Sequence, residues 1–207
     1  QLKAYHKQDL KAQLNNPVWH IHGGDVPQSN MVVPFSMLLN LASVAAADDK
    51  DQLWGFIKRY APEASADTHP DLDAAAGYAV KYYQDFVEHE KVFRMPSDQE
   101  RAALQELAAA FGDSATARDV IARKNAQMGN DDPLPEVDFT SDEFLQSIVF
   151  AVGKLHGFEN LRDWFKALYE VLLGASQGPR FGSFAALYGV DETVALIKRG
   201  LAGDLLK

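Results

Sequence analysis

A short segment near the end of the chain carries the residues best suited to binding chemistry. It runs Gly-Pro-Arg-Phe-Gly-Ser-Phe over residues 178–184 and is followed by Tyr188. A turn with two glycines and a proline could expose the Arg180 guanidinium and aromatic rings, which stack on unpaired nucleic-acid bases. The alternative is a structural turn in which Phe181, Phe184 and Tyr188 anchor the last helix to the core. The residue types are compatible with both interpretations.

No group of histidines and carboxylates has the spacing of a catalytic or metal site. His20 and His22 would point to opposite faces of an extended loop, and Asp25 still leaves them without a fourth ligand. Glu88 and Glu90 diverge around a helix, which is typical of a solvated face. The P-loop, GxSxG and GxGxxG motifs are absent from the sequence. The sequence therefore predicts no catalytic residue, no metal ligand and no cofactor.

The charge balance restricts the class of partner. The 207 residues carry a formal net charge of −9 and contain no cysteine. The lack of cysteine excludes disulfides and thiolate metal sites and fits a cytoplasmic protein. Proteins that grip nucleic-acid backbones usually carry an excess of Lys and Arg. Residues 139–207, however, hold 8 acidic and 7 basic side chains, so the objection to RNA binding is weaker there.

Helical periodicity dominates the chain, and no segment alternates convincingly like a β-strand. The apolar spacing predicts a helix over residues 2–14, an irregular Gly- and Pro-rich stretch at 15–27, and a helix over 70–87. Three aromatic residues of that last helix are expected in the core: Tyr82, Tyr83 and Phe86. No apolar run reaches the roughly 18 residues of a membrane span. The predicted fold class is all-α.

Capping residues mark several helix ends. Ser97 with Glu100 and Thr140 with Glu143 have the form of capping boxes, in which a hydroxyl and a carboxylate each accept a bond from an orphaned backbone N–H. Gly174 follows an apolar helix in the position that favours a left-handed cap. These signals predict helix starts near residues 98 and 142 and a helix end before residue 174.

One clear break divides the chain. Residues 129–138 contain two prolines and several turn formers with little apolar content. This composition predicts a linker. It would separate a helical subdomain of residues 1–128 from a C-terminal helical subdomain of residues 139–207.

Six segments, in the family's order, resemble class I lysyl-tRNA synthetases. The resemblance begins with Asn-Pro-Val-Trp-His-Ile-His-Gly-Gly at residues 16–24, Phe-Ser-Met-Leu-Leu-Asn-Leu at 35–41 and Leu-Trp-Gly-Phe-Ile at 53–57. It returns with Leu-Tyr-Glu-Val-Leu-Leu-Gly at 168–174, the Gly-Pro-Arg-Phe-Gly-Ser-Phe segment at 178–184 and Leu-Tyr-Gly-Val at 187–190. It is weakest from about residue 97 to residue 137.

In that family, ATP and Mg serve a catalytic domain that carries HIGH and KMSKS signatures. Neither signature is present here, and His20-Ile21-His22-Gly23 is similar to HIGH only superficially, because its third residue is His. The resemblance therefore implies the C-terminal helical half, a multi-helix bundle similar to the anticodon-binding helical cage of class I glutamyl- and lysyl-tRNA synthetases. ATP and Mg are expected only in the catalytic domain upstream, and this fragment is predicted not to be an enzyme.

The resemblance also implies which residues contact RNA. Anticodon contacts are expected from Gly178, Pro179, Arg180, Phe181, Ser183 and Phe184. Phosphate contacts are expected from Arg162, Lys166, Lys198 and Arg199. The implied partners are tRNA(Lys) and the upstream catalytic domain of the same enzyme, in the cytoplasm, with neither DNA nor a membrane involved.

A second hypothesis is a helical protein-interaction scaffold, derived from the same family, that no longer recognises RNA. The acidic net charge favours it, whereas the intact segment at residues 178–184 favours RNA. If RNA is the partner, a fragment with this charge is expected to bind it weakly and with a strong dependence on salt.

Overall fold

The computed structural model describes residues 2–27, 31–129 and 138–206. The helices in these ranges are α1 (Leu2–His6), α2 (Leu10–Leu14), α3 (Pro17–Ile21), α4 (Phe35–Ala45), α5 (Lys50–Tyr60), α6 (Pro70–Tyr82), α7 (Asp98–Gly112), α8 (Ser114–Gln127), α9 (Asp142–Leu155), α10 (Leu161–Leu172), α11 (Phe181–Tyr188) and α12 (Val190–Ala202). A π-helical turn, Tyr83–Val87, and a 3₁₀ turn, Glu88–Glu90, follow α6. These ranges contain no β-strand, so the predicted all-α fold is confirmed. None of their helices is long and apolar enough to cross a membrane.

Helix α9 lies at the centre of the C-terminal part and packs against α7, α8, α10 and α11. Eight of its 14 residues are buried, as expected for a helix surrounded by others. Gly153 lets α10 approach closely, because a Cβ there would lie 2.6 Å from Cδ1 of Trp164. The fully buried Trp164 donates its indole N–H to the Val149 carbonyl oxygen at 3.0 Å. These contacts fix α10, which leads into the segment at residues 178–184.

Helices α4, α5 and α6 form a second group, and α4 and α5 pack against α11. Buried side chains of both groups belong to one continuous apolar core that extends from Val33 to Ile197. The core therefore includes residues from both predicted subdomains. Most of the predicted linker, residues 130–137, lies outside the described residues, so the boundary at 129–138 stays a prediction.

The first predicted capping box is confirmed and the second is wrong. Ser97 accepts a hydrogen bond from the Glu100 backbone N–H, and the Glu100 carboxylate accepts one from the Ser97 N–H. At the start of α9 the capping hydroxyl belongs to Ser141, one residue later than predicted. The Thr140 hydroxyl instead donates to the Asp138 carboxylate at 2.7 Å, within the turn that precedes the helix.

The N-terminal region is more broken than its periodicity indicates. The helix predicted over residues 2–14 is interrupted, because Asp9 starts α2 anew by accepting a hydrogen bond from the Ala12 N–H at 2.9 Å. The irregular stretch predicted at 15–27 contains a short helix, α3, whose cap is Asn16. Local capping therefore outweighs hydrophobic periodicity in this part of the chain.

The helix predicted over residues 70–87 is α-helical only as far as Tyr82 and continues as the π-helical turn. Tyr83 is buried at 4% exposure, as predicted, whereas Tyr82 and Phe86 are 46% and 60% exposed. The prediction of a core position is thus wrong for Tyr82 and Phe86. Adjacent helical residues point to different faces, so Tyr82 and Tyr83 cannot both face the core.

The segment from Lys91 to Pro96 connects the two helix groups and is held by Arg94. The Arg94 guanidinium donates to both oxygens of the Glu100 carboxylate, at 2.7 and 2.8 Å, and to the Glu170 carboxylate at 2.7 Å. The hydrogen bonds from Arg94 lower the pKa of the Glu100 carboxyl. Arg94 thereby ties this segment to the start of α7 and to α10.

Glu100→Gln is expected to lower the free energy of unfolding by about 1 kcal/mol at neutral pH, a value limited by the partial exposure of Arg94. The folded pKa of Glu100 lies below its ordinary value of 4.5. Its contribution is therefore present above that value and is lost as the pH falls through the folded pKa. Urea unfolding at about pH 7 and about pH 3 measures both conditions, with the exposed Glu159→Gln as control. An equal loss at both pH values would contradict the expectation.

Candidate nucleic-acid interface

Two glycines and Tyr169 hold the chain between α10 and α11 in place. Gly174 has a φ of 66°, the left-handed conformation predicted for this cap. The Tyr169 hydroxyl donates to the Pro179 carbonyl oxygen at 2.7 Å. A Cβ on Gly178 would lie 2.5 Å from Cδ1 of the Tyr169 ring, so this close approach requires glycine. The segment at residues 178–180 is consequently fixed in position at the surface.

Helix α11 lies directly on α9 where this segment ends. The Gly182 N–H donates to Gln146 Oε1 at 2.8 Å, and the Ser183 hydroxyl donates to the Asp142 carboxylate at 2.8 Å. Arg180 Nη1 lies 3.5 Å from the same carboxylate, and the Arg180 side chain is 49% exposed. Arg180 is therefore oriented by Asp142 and still presents donors to solvent. The Gly182 N–H is already used inside the protein.

An open groove of about 390 Å³ lies beside Arg180, between the start of α4, the end of α5 and the segment at residues 178–184. Its polar groups belong to Ser36, Tyr60, Asp142, Arg180 and Ser183. Tyr60 is 43% exposed. Burial and the charges of Asp142 and Glu143 raise the pKa of the Tyr60 phenol. Its hydroxyl is thus a neutral donor at physiological pH.

Three polar groove residues, Ser36, Tyr60 and Asp142, were not among the predicted site residues. The hydrogen bond from the Ser183 hydroxyl and the nearby Arg180 guanidinium lower the pKa of the Asp142 carboxyl, so it is an ionised acceptor at neutral pH. In the sequence, Asp142 has the position of a first-turn carboxylate and Tyr60 belongs to an apolar helix face. The one sequence feature that could have indicated a site role for Tyr60 is its place at a helix end. No sequence feature indicates such a role for Asp142.

Phe181 and Phe184 are fully buried, with 0% exposure. The prediction that their rings contact anticodon bases is therefore wrong for this conformation. Their ring centroids lie 5.9 Å apart, Phe184 stacks on Tyr188 at 5.3 Å, and Tyr188 stacks on Phe56 of α5 at 5.3 Å. This column anchors α11 to α5. The structural alternative for these aromatics is the correct one, while Arg180 remains exposed beside them.

The four predicted phosphate contacts are exposed. Arg162 lies in the first turn of α10, about 15 Å along the helix from its last residue. Lys166 lies nearer that end, and its Nζ is 3.6 Å from the Glu170 carboxylate. Lys198 and Arg199 lie on the last two turns of α12. The structure thus does not gather these residues at the groove, and their contact with RNA stays a prediction.

The histidine hypothesis finds no support in the described part of the chain. His20 lies in α3 rather than in an extended loop, and His22 follows that helix directly. Both side chains are exposed. No cluster of three or more His, Asp or Glu residues with metal-binding geometry occurs among the described residues.

The fold and this groove define an all-helical module with an exposed cationic turn. Over 206 residues the chain is 59% identical to a lysine–tRNA ligase of Roseobacter denitrificans, and this match covers all of the chain and 35% of the relative. It is 39% identical over 198 residues to lysine–tRNA ligases of Rickettsia conorii and Rickettsia massiliae, covering 95% of the chain and 34% of each relative. No family model matches the chain. No solved structure gives a significant match.

These comparisons confirm the predicted resemblance to lysyl-tRNA synthetases. Along its whole length the chain is similar to one region of lysine–tRNA ligases. It spans about one third of the length of these curated relatives. The chain is therefore similar to a part of such an enzyme rather than to the whole of it.

Proposed function

We propose that the chain is the C-terminal, tRNA-reading part of a class I lysyl-tRNA synthetase and that its groove binds the anticodon loop of tRNA(Lys). The observation that carries the proposal is the exposed, oriented Arg180 beside the Asp142 carboxylate. The similarity to lysine–tRNA ligases makes a tRNA the fitting partner. In this proposal, ATP, Mg and lysine bind a catalytic domain elsewhere in the enzyme, in the cytoplasm.

The groove offers both kinds of group that read a base edge. The Watson–Crick edge of uracil presents one N–H donor between two carbonyl acceptors, and unpaired bases are read at that edge. Asp142 supplies an ionised acceptor, and Arg180 and the Tyr60 hydroxyl supply donors. The lysine anticodon is rich in U and stacks weakly, so hydrogen bonds carry much of the discrimination. Gly178 and Pro179 contribute backbone contacts at the exposed turn.

The Asp142 carboxylate contributes to the selectivity of the groove for particular bases. A carboxylate repels phosphates and rejects a base edge that presents only acceptors, because an unpaired buried acceptor is costly. Asp142 is held by Ser183 and by Arg180 and therefore keeps a fixed direction. Affinity for the backbone then comes from the more distant cations Arg162, Lys166, Lys198 and Arg199, so we expect weak, salt-dependent binding by this chain alone.

Chemical footprinting of tRNA(Lys) tests where on the RNA the chain binds. Adding the chain at about 50 mM salt is expected to protect the anticodon-loop nucleotides and to leave the acceptor stem reactive, since the groove takes unpaired bases. The matched control is the same chain with Asp142→Asn and Arg180→Ala together, which should restore reactivity of the loop. Protection confined to the acceptor stem would refute the proposed role.

A protein-interaction scaffold is the second candidate function. It is favoured by the exposed aromatic side chains Tyr78, Tyr82 and Phe86, which are 68%, 46% and 60% exposed at successive helical turns. The net charge of −9 also suits a protein partner better than a polyanion. In that case, footprinting would show no protection anywhere on the tRNA.

A further inference from the structure

A second cleft, of about 530 Å³, is lined in part by the loop that follows α10. It is bounded by α4, by the segment from Val87 to Arg94, and by Leu173 to Ser176. The Val92 N–H donates to the Gly174 carbonyl oxygen at 2.9 Å, which joins two of these walls. The loop from Gly174 to Ser176 continues directly into the turn at Gly178. Since consecutive Cα atoms are about 3.8 Å apart, Ser176 lies within about 8 Å of Gly178.

Lys91 is the cation of this cleft. Its ammonium donates to the Ser43 carbonyl oxygen at 2.8 Å and lies 5.7 and 5.1 Å from the ring centroids of Tyr83 and Phe93. Among the described residues, no carboxylate forms an ion pair with it. Burial lowers the pKa of Lys91, an effect partly offset by the charge of Glu88. A desolvated ammonium that lacks a carboxylate partner favours an incoming anion.

Three other charged residues line the cleft: Arg94 and Glu170, which are paired with each other, and Glu90. Arg94 is held by Glu100 and Glu170, and Glu170 also has Lys166 at 3.6 Å. Glu90 is exposed to solvent. The remaining wall is mainly apolar, with the Asn40 amide and the Ser176 hydroxyl among its polar groups. An apolar cleft with one unpaired cation suits a flat, uncharged ring that carries a single phosphate.

We propose that this cleft holds one unpaired nucleotide of the RNA strand that crosses the neighbouring groove, with its phosphate on the Lys91 ammonium. This inference rests on the proposed function. The volume of the cleft is within the range of small-molecule binding sites. The base lies against the apolar wall formed by Leu39, Val87 and Leu173. The Asn40 amide nitrogen donates to the Ser36 carbonyl oxygen at 2.6 Å, so the Asn40 amide oxygen is the group offered to the base edge. The two clefts then hold nucleotides at two places along the connection between α10 and α11.

Lys91→Met, which keeps the apolar stem and removes the charge, tests the inference with the full chain. The controls are Lys91→Arg, which keeps the charge, and Lys154→Met, which removes an exposed cation at the far end of α9. Lys91→Met is expected to weaken binding of native and anticodon-altered tRNA(Lys) alike by about tenfold and to lower the salt slope by about one. Lys91→Arg should retain most of the affinity, and Lys154→Met should bind as the unchanged chain does.

A mononucleotide separates this inference from the proposed function. Uridine 5′-monophosphate is expected to shift the NMR signals of the Val92 and Gly174 amides. Uridine, which lacks the phosphate, should cause little shift in the unchanged chain. Uridine 5′-monophosphate should likewise cause little shift in the Lys91→Met variant. If the unchanged chain showed no preference for the native anticodon but Lys91→Met still weakened tRNA binding, only the proposed function would be refuted. Uridine 5′-monophosphate shifts without any Lys91 effect on tRNA would mean that the cleft takes free nucleotides, which overturns the inference. Absence of the amide shifts in the unchanged chain overturns it as well.

Discussion

Gly182→Ala is expected to lower the free energy of unfolding by about 3 kcal/mol, the upper end of the usual cost of overpacking. A Cβ at this position would lie 2.5 Å from the Asp142 carbonyl oxygen and 2.6 Å from the Gln146 Cβ, and it would also meet the Gln146 backbone nitrogen. These atoms belong to the backbone of α9 or are attached to it directly, so no side-chain rotation relieves the overlap. Helix α11 must move away from α9, and the Gly182–Gln146 hydrogen bond is lost with it.

Gly55→Ala is the matched control for this prediction. Gly55 also lies inside a helix, α5, but a Cβ there would have no heavy atom within 4 Å. Because alanine has the higher helix propensity, Gly55→Ala should leave stability unchanged or raise it by about 0.5–1 kcal/mol. Thermal and urea unfolding of both variants decide the matter. Equal stabilities of the two variants would show that α11 does not pack on α9 as described.

Arg180→Ala is expected to abolish most of the preference for the lysine anticodon while leaving the fold intact. Its guanidinium is held by Asp142 at 3.5 Å and is half exposed, so removing it takes away a directed donor without opening the core. Loss of one good base contact costs about 1–3 kcal/mol, which is about 5- to 150-fold in relative affinity. Competition binding between native and anticodon-altered tRNA(Lys) measures the ratio, and thermal unfolding checks the fold.

Arg162→Ala provides the contrast for Arg180→Ala. A phosphate contact carries no sequence information. Removing Arg162 should therefore weaken both RNAs by the same factor and lower the salt slope by about one. If Arg180→Ala behaved in the same way as Arg162→Ala, Arg180 would be a backbone contact and the base-reading role of the groove would be wrong.

The helices from residue 98 onward were largely predictable because most of their local signals agree, although the cap of α9 is Ser141 rather than Thr140. Ser97 and Glu100 form the predicted capping box, Gly174 has the predicted left-handed conformation, and α9 begins at the predicted Asp142. Before residue 98 the signals compete: Asp9 caps a new helix within an apolar repeat, and the π-helical turn follows Tyr82. A period of 3.6 residues indicates a helix, but it cannot show where a side chain interrupts one.

The candidate groove was only partly predictable. Arg180 was found from its unusual neighbours, because glycine and proline beside an arginine indicate a constrained, exposed turn. The exposure of Phe181 and Phe184 could not be judged in the same way, since burial depends on α5, more than 120 residues earlier in the chain. The pairing of Arg180 with Asp142 and the placement of Tyr60 beside them likewise arise from tertiary packing. No local pattern encodes such contacts.

Anticodon recognition by the chain can be measured by titration with tRNA(Lys) and with an anticodon-altered tRNA(Lys), at about 50 mM and about 200 mM salt. We expect tighter binding of the native anticodon at low salt and a loss of affinity for both RNAs as salt rises. Equal binding of the two RNAs at low salt, or no binding of either, would contradict anticodon recognition by this chain.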